Sequence, residues 1–337
     1  MPLEITRPDV VVPVAVDPSG LRGPTKGQSR SKRWRRTSPG RYVPSATDST
    51  RTDQRVVEAA AGGLDGSAVT GWAALNWQGA RWFSGRNPDG TLRPVPLAVG
   101  DRKLPAARRG VVLLHHWLYE GDVITVDGLP VTRPERSTIT QALRASGFES
   151  TVQVFDMALA SDLVSKDELV RYLELLHGRP HTRRLRSALT LAEENVWSPM
   201  ETTMRLRWAS RHPRARLVCN QPVFSPDGEH LFTPDLLDPD AQVAGEYDGV
   251  VHDERRVRRR DVHREELARS VGIEVVRMVS ADLRDVASFE QRLDRAYAEA
   301  AARPRTSAWT LTPPRWWHHP TTVAGRRDRR LASAPHP

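Results

Sequence analysis

Apolar positions along this chain recur with two different periods, and the period predicts the type of element. Apolar residues three or four positions apart predict helices. This spacing occurs over 52–63, 67–79, 137–146, 150–161, 166–177 and 182–194. Short apolar runs at 111–115, 123–126 and 129–132 predict strands, and the turn Asp127-Gly128 joins the last two into a hairpin. Residues 51–194 are therefore expected to form a mixed α/β region with linking helices.

The pattern over residues 195–302 predicts the element order α-β-β-β-α-β-α. Ser198 and Pro199 begin a helix that runs to about Arg211, because serine caps a helix N-terminus and proline suits its first turn. The strands are predicted over 216–224, 231–237, 242–247 and 273–279, with helices over 253–270 and 281–301. The fold class is thus α/β (α+β), with Gly272 ending the long helix.

The two ends of the chain are basic and lack clear periodicity. Residues 1–16 are predicted to be a loose arm, and eight basic residues with no acidic one follow between Leu21 and Arg41. A helix over 25–33, a strand at Trp34 and the turn after Ser38 outline a winged helix within residues 1–50, although a disordered basic arm fits equally well. The Pro-rich segment 303–337 is expected to be disordered.

Composition narrows the class of protein. The chain has 337 residues and a net charge of +9, and 46 of its 50 basic residues are arginine. That charge describes either a solvated arginine-rich surface or attraction to a polyanion, most often nucleic acid. The single cysteine, Cys219, excludes a disulfide framework and a thiolate zinc site. No membrane-spanning run or secretory signal is seen, so a cytoplasmic protein without membrane contact is expected.

Acidic residues cluster where two predicted strands end. Asp235 and Glu246 lie 11 residues apart, and two antiparallel strands joined by a short turn would bring both to one end of a sheet. Asp248, two residues after Glu246, would share its face. Clustered carboxylates next to a core strand need a partner, and Mg²⁺ is a natural one, with Mn²⁺ as a substitute. A Pro-Asp turn for Asp235, and a favourable helix dipole for Glu201, are the plainer interpretations.

These acids stand within a longer pattern, made of Ser198-Pro199-Met200-Glu201, Pro234-Asp235-Leu236, Gly245-Glu246-Tyr247-Asp248-Gly249, His252, Arg260-Asp261, Arg264, Gly272–Arg277 and Asp282-Leu283. Over residues 195–300 it resembles the restriction-endonuclease-like domain of unknown function related to very-short-patch-repair endonucleases. Upstream, Val69–Leu75 and Gly128–Arg136 resemble the abortive-infection type IV antitoxin proteins of actinobacteria, in which a basic winged helix often precedes such a domain.

The resemblance implies a Mg²⁺-dependent phosphodiesterase site. Asp235 would be the bridging ligand, Glu246 the second ligand and the Tyr247 carbonyl the third. Independently of the resemblance, Glu201 on the preceding helix could add a further oxygen ligand. Nucleases of this fold usually carry lysine two residues after the second acid, but Asp248 occupies that position and no lysine follows Lys166. Arginine is a poor base because its pKa stays above about 12.

The missing lysine leaves three possibilities open. Asp248 could be a further metal ligand, His252 or His263 could move the proton, or the fold could have lost its chemistry. Two functions follow from this: a DNA endonuclease in phage defence or repair, or a non-enzymatic antitoxin-like repressor with a cognate toxin. A scaffold whose nuclease-like domain only packs is a third.

Arginines in two places are candidates for DNA contact. Arg33, Arg35 and Arg36 lie in the N-terminal basic segment, and a second group lies on the helix after the acids. The second group is Arg256, Arg259, Arg260 and Arg264. These could equally be a solvated helix face. Trp309, Trp316 and Trp317 could stack on bases, or could belong to an unfolded linker.

Overall fold

The computed structural model describes residues 3–63, 66–101, 109–248, 264–305 and 308–333. The chain forms two compact units, Met1–Ser146 with Asp167–Arg186 and Gly147–Lys166 with Ser187–Pro337. Both contain helices and strands, so the expected α/β (α+β) class is confirmed. Among the described residues, no helix is long and apolar enough to cross a membrane.

The first unit contains a small three-stranded sheet and a larger five-stranded sheet. Its elements are β1 (Val14–Ala15), β2 (Trp34–Ser38), β3 (Arg41–Pro44), α1 (Thr52–Ala61), β4 (Ala68–Val69), α2 (Gly71–Trp77), β5 (Val95–Ala98), β6 (Val111–Leu114), β7 (Val123–Val126), β8 (Leu129–Thr132) and α3 (Pro134–Leu143). The strand orders are β1-β3-β2 and β6-β5-β4-β8-β7. The hairpin predicted at residues 123–132 is present as β7 and β8.

The N-terminal segment differs from the expected loose arm. Strand β1 pairs with β3, and the side-chain amide of Gln54 bonds both the N–H and the C=O of Val11. The predicted helix over 25–33 is reduced to one 3₁₀ turn, Gln28–Arg30. Thr25 and Gln28 bond each other's backbone N–H groups, and such local bonds compete with a helix. The hairpin β2–β3 is the part of the winged-helix outline that the structure contains.

Three helices follow α3 along the chain: α4 (Phe148–Ala160), α5 (Lys166–Leu175) and α6 (Thr182–Thr190). All three occur where the apolar spacing predicts them. Helix α4 belongs to the second unit. A buried ion pair joins it to the helix that begins at Pro199. In that pair, Asp156 accepts hydrogen bonds from Arg205 at 2.8 Å and from the Thr202 hydroxyl at 2.7 Å.

The second unit is built around a four-stranded mixed sheet. Its elements after α4 are α7 (Pro199–Arg211), β9 (Val218–Cys219), β10 (Val223–Phe224), β11 (His230–Phe232), β12 (Leu236–Asp238), β13 (Val243–Asp248), helical residues 264–270 (α8), β14 (Glu274–Val279), α9 (Val286–Ala301) and α10 (Val323–Ser333). The strand order is β14-β13-β12-β9, and β10 and β11 form a separate hairpin. Strands β13 and β14 are parallel, whereas β12 is antiparallel to both of its neighbours.

Two predicted strands are each divided in this unit. The run 216–224 is split between β9 and β10, where Asn220 has a φ of +46° and Pro222 follows. The run 231–237 is split between β11 and β12 at Pro234. Proline cannot donate to a strand ladder, which explains both breaks. The predicted helix over 281–301 likewise begins as a 3₁₀ turn, Ser280–Leu283, before α9 starts.

The segment after residue 302 differs most from expectation, because residues 308–333 are packed rather than disordered. Thr310 and Phe224 exchange two backbone hydrogen bonds, of 2.8 and 2.9 Å. Helix α10 begins at the buried Val323, whose N–H donates to Glu194. Arg326 on the same helix pairs with Asp162 at 2.6 Å. Specific contacts with the second unit therefore hold a segment whose composition alone predicts disorder.

Candidate functional site

Asp235 and Glu246 lie side by side at one end of the β12–β13 pair. The register joins Leu236 to Gly245 and Leu237 to Ala244, so Asp235, directly before β12, is opposite Glu246. The Oδ2 atom of Asp235 accepts a 2.7 Å hydrogen bond from the N–H of Tyr247. The structure thus brings together the two acids that the spacing of 11 residues placed at one sheet end.

Local chemistry at the other end of the strands fixes this register. Asp238 accepts hydrogen bonds from the N–H groups of Asp240 and Ala241, which closes a tight turn between β12 and β13. Helix α7 lies close on β13 at Gly245. A Cβ atom added there would lie 2.5 Å from Cζ3 of Trp208, so only glycine allows this approach.

Glu201 is buried in the first turn of α7, beside the acid pair. Its Oε2 atom accepts hydrogen bonds from the Trp197 N–H at 2.8 Å and from Asn220 Nδ2 at 2.7 Å. Burial raises the pKa of Glu201. Asn220 also donates its backbone N–H to the Asp235 carbonyl, so one residue holds Glu201 and the start of β12 together. Asn220 therefore joins the site although no sequence motif marked it.

The three carboxylates are close enough to influence one another. The pKa of Asp235 is raised to about 7, first by burial and then by the negative charge of Glu201. The Tyr247 hydrogen bond lowers the pKa, Glu246 raises it, and Arg264 lowers it. Because burial and two neighbouring acids all oppose its ionisation, a cation at this position would relieve electrostatic repulsion.

The negative charge of Glu246 is partly balanced by a neighbouring arginine, Arg264. Its Oε1 lies 3.3 Å from Nη1 of Arg264, whose side chain is 43% exposed. This is a single, long contact rather than a bidentate ion pair, and the Arg264 side chain stays partly open to solvent. Arg264 is thus the one predicted DNA contact of its group that the structure shows next to the acids. Arg256, Arg259, Arg260, His252 and His263 lie outside the described residues.

The other predicted site residues that the structure describes do not all lie at the acid pair. Asp248 is exposed at the end of β13. Tyr247 contributes its N–H to Asp235, and its hydroxyl lies 3.1 Å from Ser280 Oγ. Arg35 donates to both carboxylate oxygens of Glu58, at 2.9 and 2.7 Å, and its role as a DNA contact stays a prediction.

Arg33 and Arg36, by contrast, are exposed in the N-terminal unit. Arg36 donates to the carbonyl of Ser38 in the same hairpin, at 3.3 Å. Within the described part of the chain, Arg35 is the one of these three arginines that pairs with an acid.

The donor atoms at the acid pair fit a hard divalent cation. Among the described residues, no group of three or more His, Cys, Asp or Glu side chains is arranged to hold a metal ion. Magnesium, however, commonly uses one or two protein carboxylates and completes its shell with water and substrate phosphate. Asp235 and Glu246 supply such a pair. The buried Oδ1 of Asn220 is a further oxygen that accepts no hydrogen bond in the described part of the chain.

Comparisons of the chain with protein-family models, with curated proteins and with solved structures found no match. The chemistry of the site therefore has to be inferred from the geometry of its own residues.

Proposed function

We propose that the second unit is a Mg²⁺-dependent phosphodiesterase that cleaves DNA. The observation that carries this proposal is the facing pair Asp235 and Glu246, two acids on adjacent strands with a half-exposed arginine beside them. Helix α7, a block of strands, helical residues 264–270, β14 and α9 follow one another in the predicted order, although the block has five strands, β9 to β13, where three were predicted. Such a pair would hold the cation, which supplies polarisation of the scissile phosphate and activation of water.

The protein's own groups would then position the substrate. The Tyr247 N–H fixes the orientation of Asp235, and Asn220 and the Trp197 N–H hold Oε2 of Glu201, whose role as a further cation ligand stays a prediction. Arg264 would donate to a phosphate oxygen, because its guanidinium is open to solvent and only loosely held by Glu246. Asp248 stays a predicted further metal ligand, and His252 or His263 stays the predicted group for the proton transfer that a lysine usually assists.

The test is incubation of supercoiled plasmid with the purified chain and Mg²⁺ or Mn²⁺. Wild type should nick the plasmid, chelation with EDTA should stop the reaction, and Asp235→Asn should abolish it. Asp240→Asn is the matched control, because that carboxylate lies in the same hairpin and, among the described residues, pairs with the exposed Arg216. Equal nicking by wild type and Asp235→Asn would refute the assignment.

A second candidate function is DNA binding without cleavage, as in an antitoxin-like repressor. The exposed Arg33 and Arg36 at the β2–β3 hairpin favour it. It predicts salt-dependent DNA binding that persists in Asp235→Asn and weakens when these arginines are neutralised. A cognate toxin and a cytoplasmic location stay predictions from the sequence.

A further inference from the structure

The C-terminal segment forms one wall of a groove in the second unit. Its backbone bridge to Phe224 continues the β10–β11 hairpin, and Trp309 and Leu311 pack on the core that includes Val223 and Phe232. These contacts fix the segment that carries Trp316 and Trp317. The tryptophans are therefore held at a defined place on the surface.

An aromatic stack continues outward from this core. Trp317 stacks on His230, with ring centroids 5.0 Å apart and planes inclined by 20°. Phe224 meets the edge of Trp317 at 5.1 Å. Trp316 lies against Trp317 at 5.6 Å and is 56% exposed. The inner rings thus support an outer indole that has a large surface open to solvent.

Two cavities join this stack to the surroundings of the acid pair. One, of about 490 Å³, is lined by Gln221, Trp317 and His319, and the other, of about 550 Å³, by Trp197, His319 and Arg330. Both are also lined by Pro320 and Arg329, so the two cavities adjoin, and together they are called the groove. Trp197, which lines the second cavity, is 51% exposed.

The groove passes close to the candidate catalytic residues. The N–H of Trp197 donates to Glu201, and Gln221 directly follows Asn220, which bonds the same carboxylate. On the other side, Arg264 contacts Glu246 and also lowers the pKa of His230, after burial. An exposed tryptophan is therefore one contact from Glu201, and the stacked histidine is close to Arg264.

The charge of the groove favours an anion. Arg326 and Arg330 both pair with Asp162, the one acidic side chain among the described residues that line the two cavities. Arg329 bonds the Nδ1 atom of His319 at 2.7 Å. Three guanidinium groups and one carboxylate thus line the two cavities, which leaves net positive charge between Trp197 and Trp317.

We infer that this groove, together with Trp316 beside its lining residue Trp317, binds single-stranded DNA, with Trp197 and Trp316 stacking on unpaired bases and Arg329 contacting the backbone. Positive grooves lined by exposed aromatic rings are how proteins hold single strands, whereas the bases of a duplex already stack on one another. The inference rests on the proposed function, because it names the substrate strand that would be led to Asp235 and Glu246.

The test measures binding without cleavage, by fluorescence anisotropy of a labelled oligothymidylate of about 20 nucleotides in EDTA. Wild type should bind it more tightly than a duplex of the same length. Trp316→Ala and Trp197→Ala should each weaken binding ~10-fold, because each removes one ring on which a base would stack. Trp316→Phe should retain most of the affinity. Trp82→Ala, which removes an exposed tryptophan of the first unit, should bind like wild type.

Several results would overturn the inference. These are equal or tighter binding of the duplex, normal binding by both alanine variants with unchanged thermal melts, or tighter binding of oligouridylate than of oligothymidylate. If one alanine variant has a lower melting temperature than wild type, the inference is judged from the DNA binding of Trp316→Phe and of the other alanine variant. Single-strand binding without metal-dependent cleavage would refute the proposed function alone. Cleavage with normal binding by both alanine variants would refute the inference alone.

Discussion

Replacing Asp235 with asparagine tests the electrostatics of the acid pair through stability rather than activity. The substitution keeps the shape of the side chain, and the asparagine oxygen can still accept the hydrogen bond from Tyr247 N–H. It removes the negative charge that burial, Glu201 and Glu246 disfavour. The variant should therefore be stabilised relative to wild type wherever Asp235 is ionised in the folded protein.

The expected size follows from the pKa values. The pKa of Asp235 is about 7 in the folded protein and 3.8 in an unfolded chain, so the folded state holds its proton more strongly. The stability contributed by the neutral carboxyl is fully present below pH 3.8 and is lost as pH rises through about 7. At about 1.36 kcal/mol per pKa unit, the loss is at most about 4 kcal/mol. Between about pH 5 and about pH 8 it is roughly 2–3 kcal/mol.

The assay is urea unfolding followed by tryptophan fluorescence, over this pH range without divalent cations. The stability of Asp235→Asn minus that of wild type should increase with pH by the stated amount, and Asp240→Asn should follow wild type. Adding Mg²⁺ at about pH 8 should stabilise wild type and not Asp235→Asn, since a ligand stabilises only the state that binds it. A difference between the two proteins that does not change with pH would refute the reasoning.

Three further substitutions test other parts of the structure. Gly245→Ala should destabilise the second unit by about 1–3 kcal/mol in urea unfolding, because its Cβ would overlap Trp208; an unchanged midpoint would contradict this packing. Asp156→Ala should cost about 3–5 kcal/mol by the same assay, since it leaves Arg205 buried without its partner; a loss below about 1 kcal/mol would count against the buried pair. Arg36→Gln should reduce the salt dependence of DNA binding by about one phosphate contact; an unchanged slope would exclude that contact.

Much of the second unit could be predicted from the sequence because its signals are local. Ser198 and Pro199 begin α7 as their capping chemistry requires, and Ser198 Oγ accepts from the Glu201 N–H. Gly272, at a φ of +85°, follows the helical residues 264–270 as predicted. The approach of Asp235 to Glu246 followed from two antiparallel strands and a short turn. These features depend on interactions between residues that are close in the sequence, so local sequence patterns can predict them.

The features that sequence reasoning missed depend on long-range contacts. Strand β5 is buried in its sheet although it contains Pro96, which lowers its strand signal. The segment after residue 302 is ordered by Phe224, Glu194 and Asp162, none of which is near it in sequence. Arg35 resembles Arg36 in the sequence and differs only because Glu58 reaches it. In each of these cases the structure depends on contacts between residues that are far apart in the sequence, and no local sequence pattern predicts such contacts.

Binding of Mn²⁺ to the acid pair is the most direct test of the central proposal. Electron paramagnetic resonance of free Mn²⁺ can be recorded during titration of the metal into wild type, Asp235→Asn and Asp240→Asn at fixed pH. We expect wild type and Asp240→Asn to deplete the free signal and Asp235→Asn to leave it close to that of buffer. Equal depletion by all three proteins, or none by wild type, would contradict a cation site at Asp235 and Glu246.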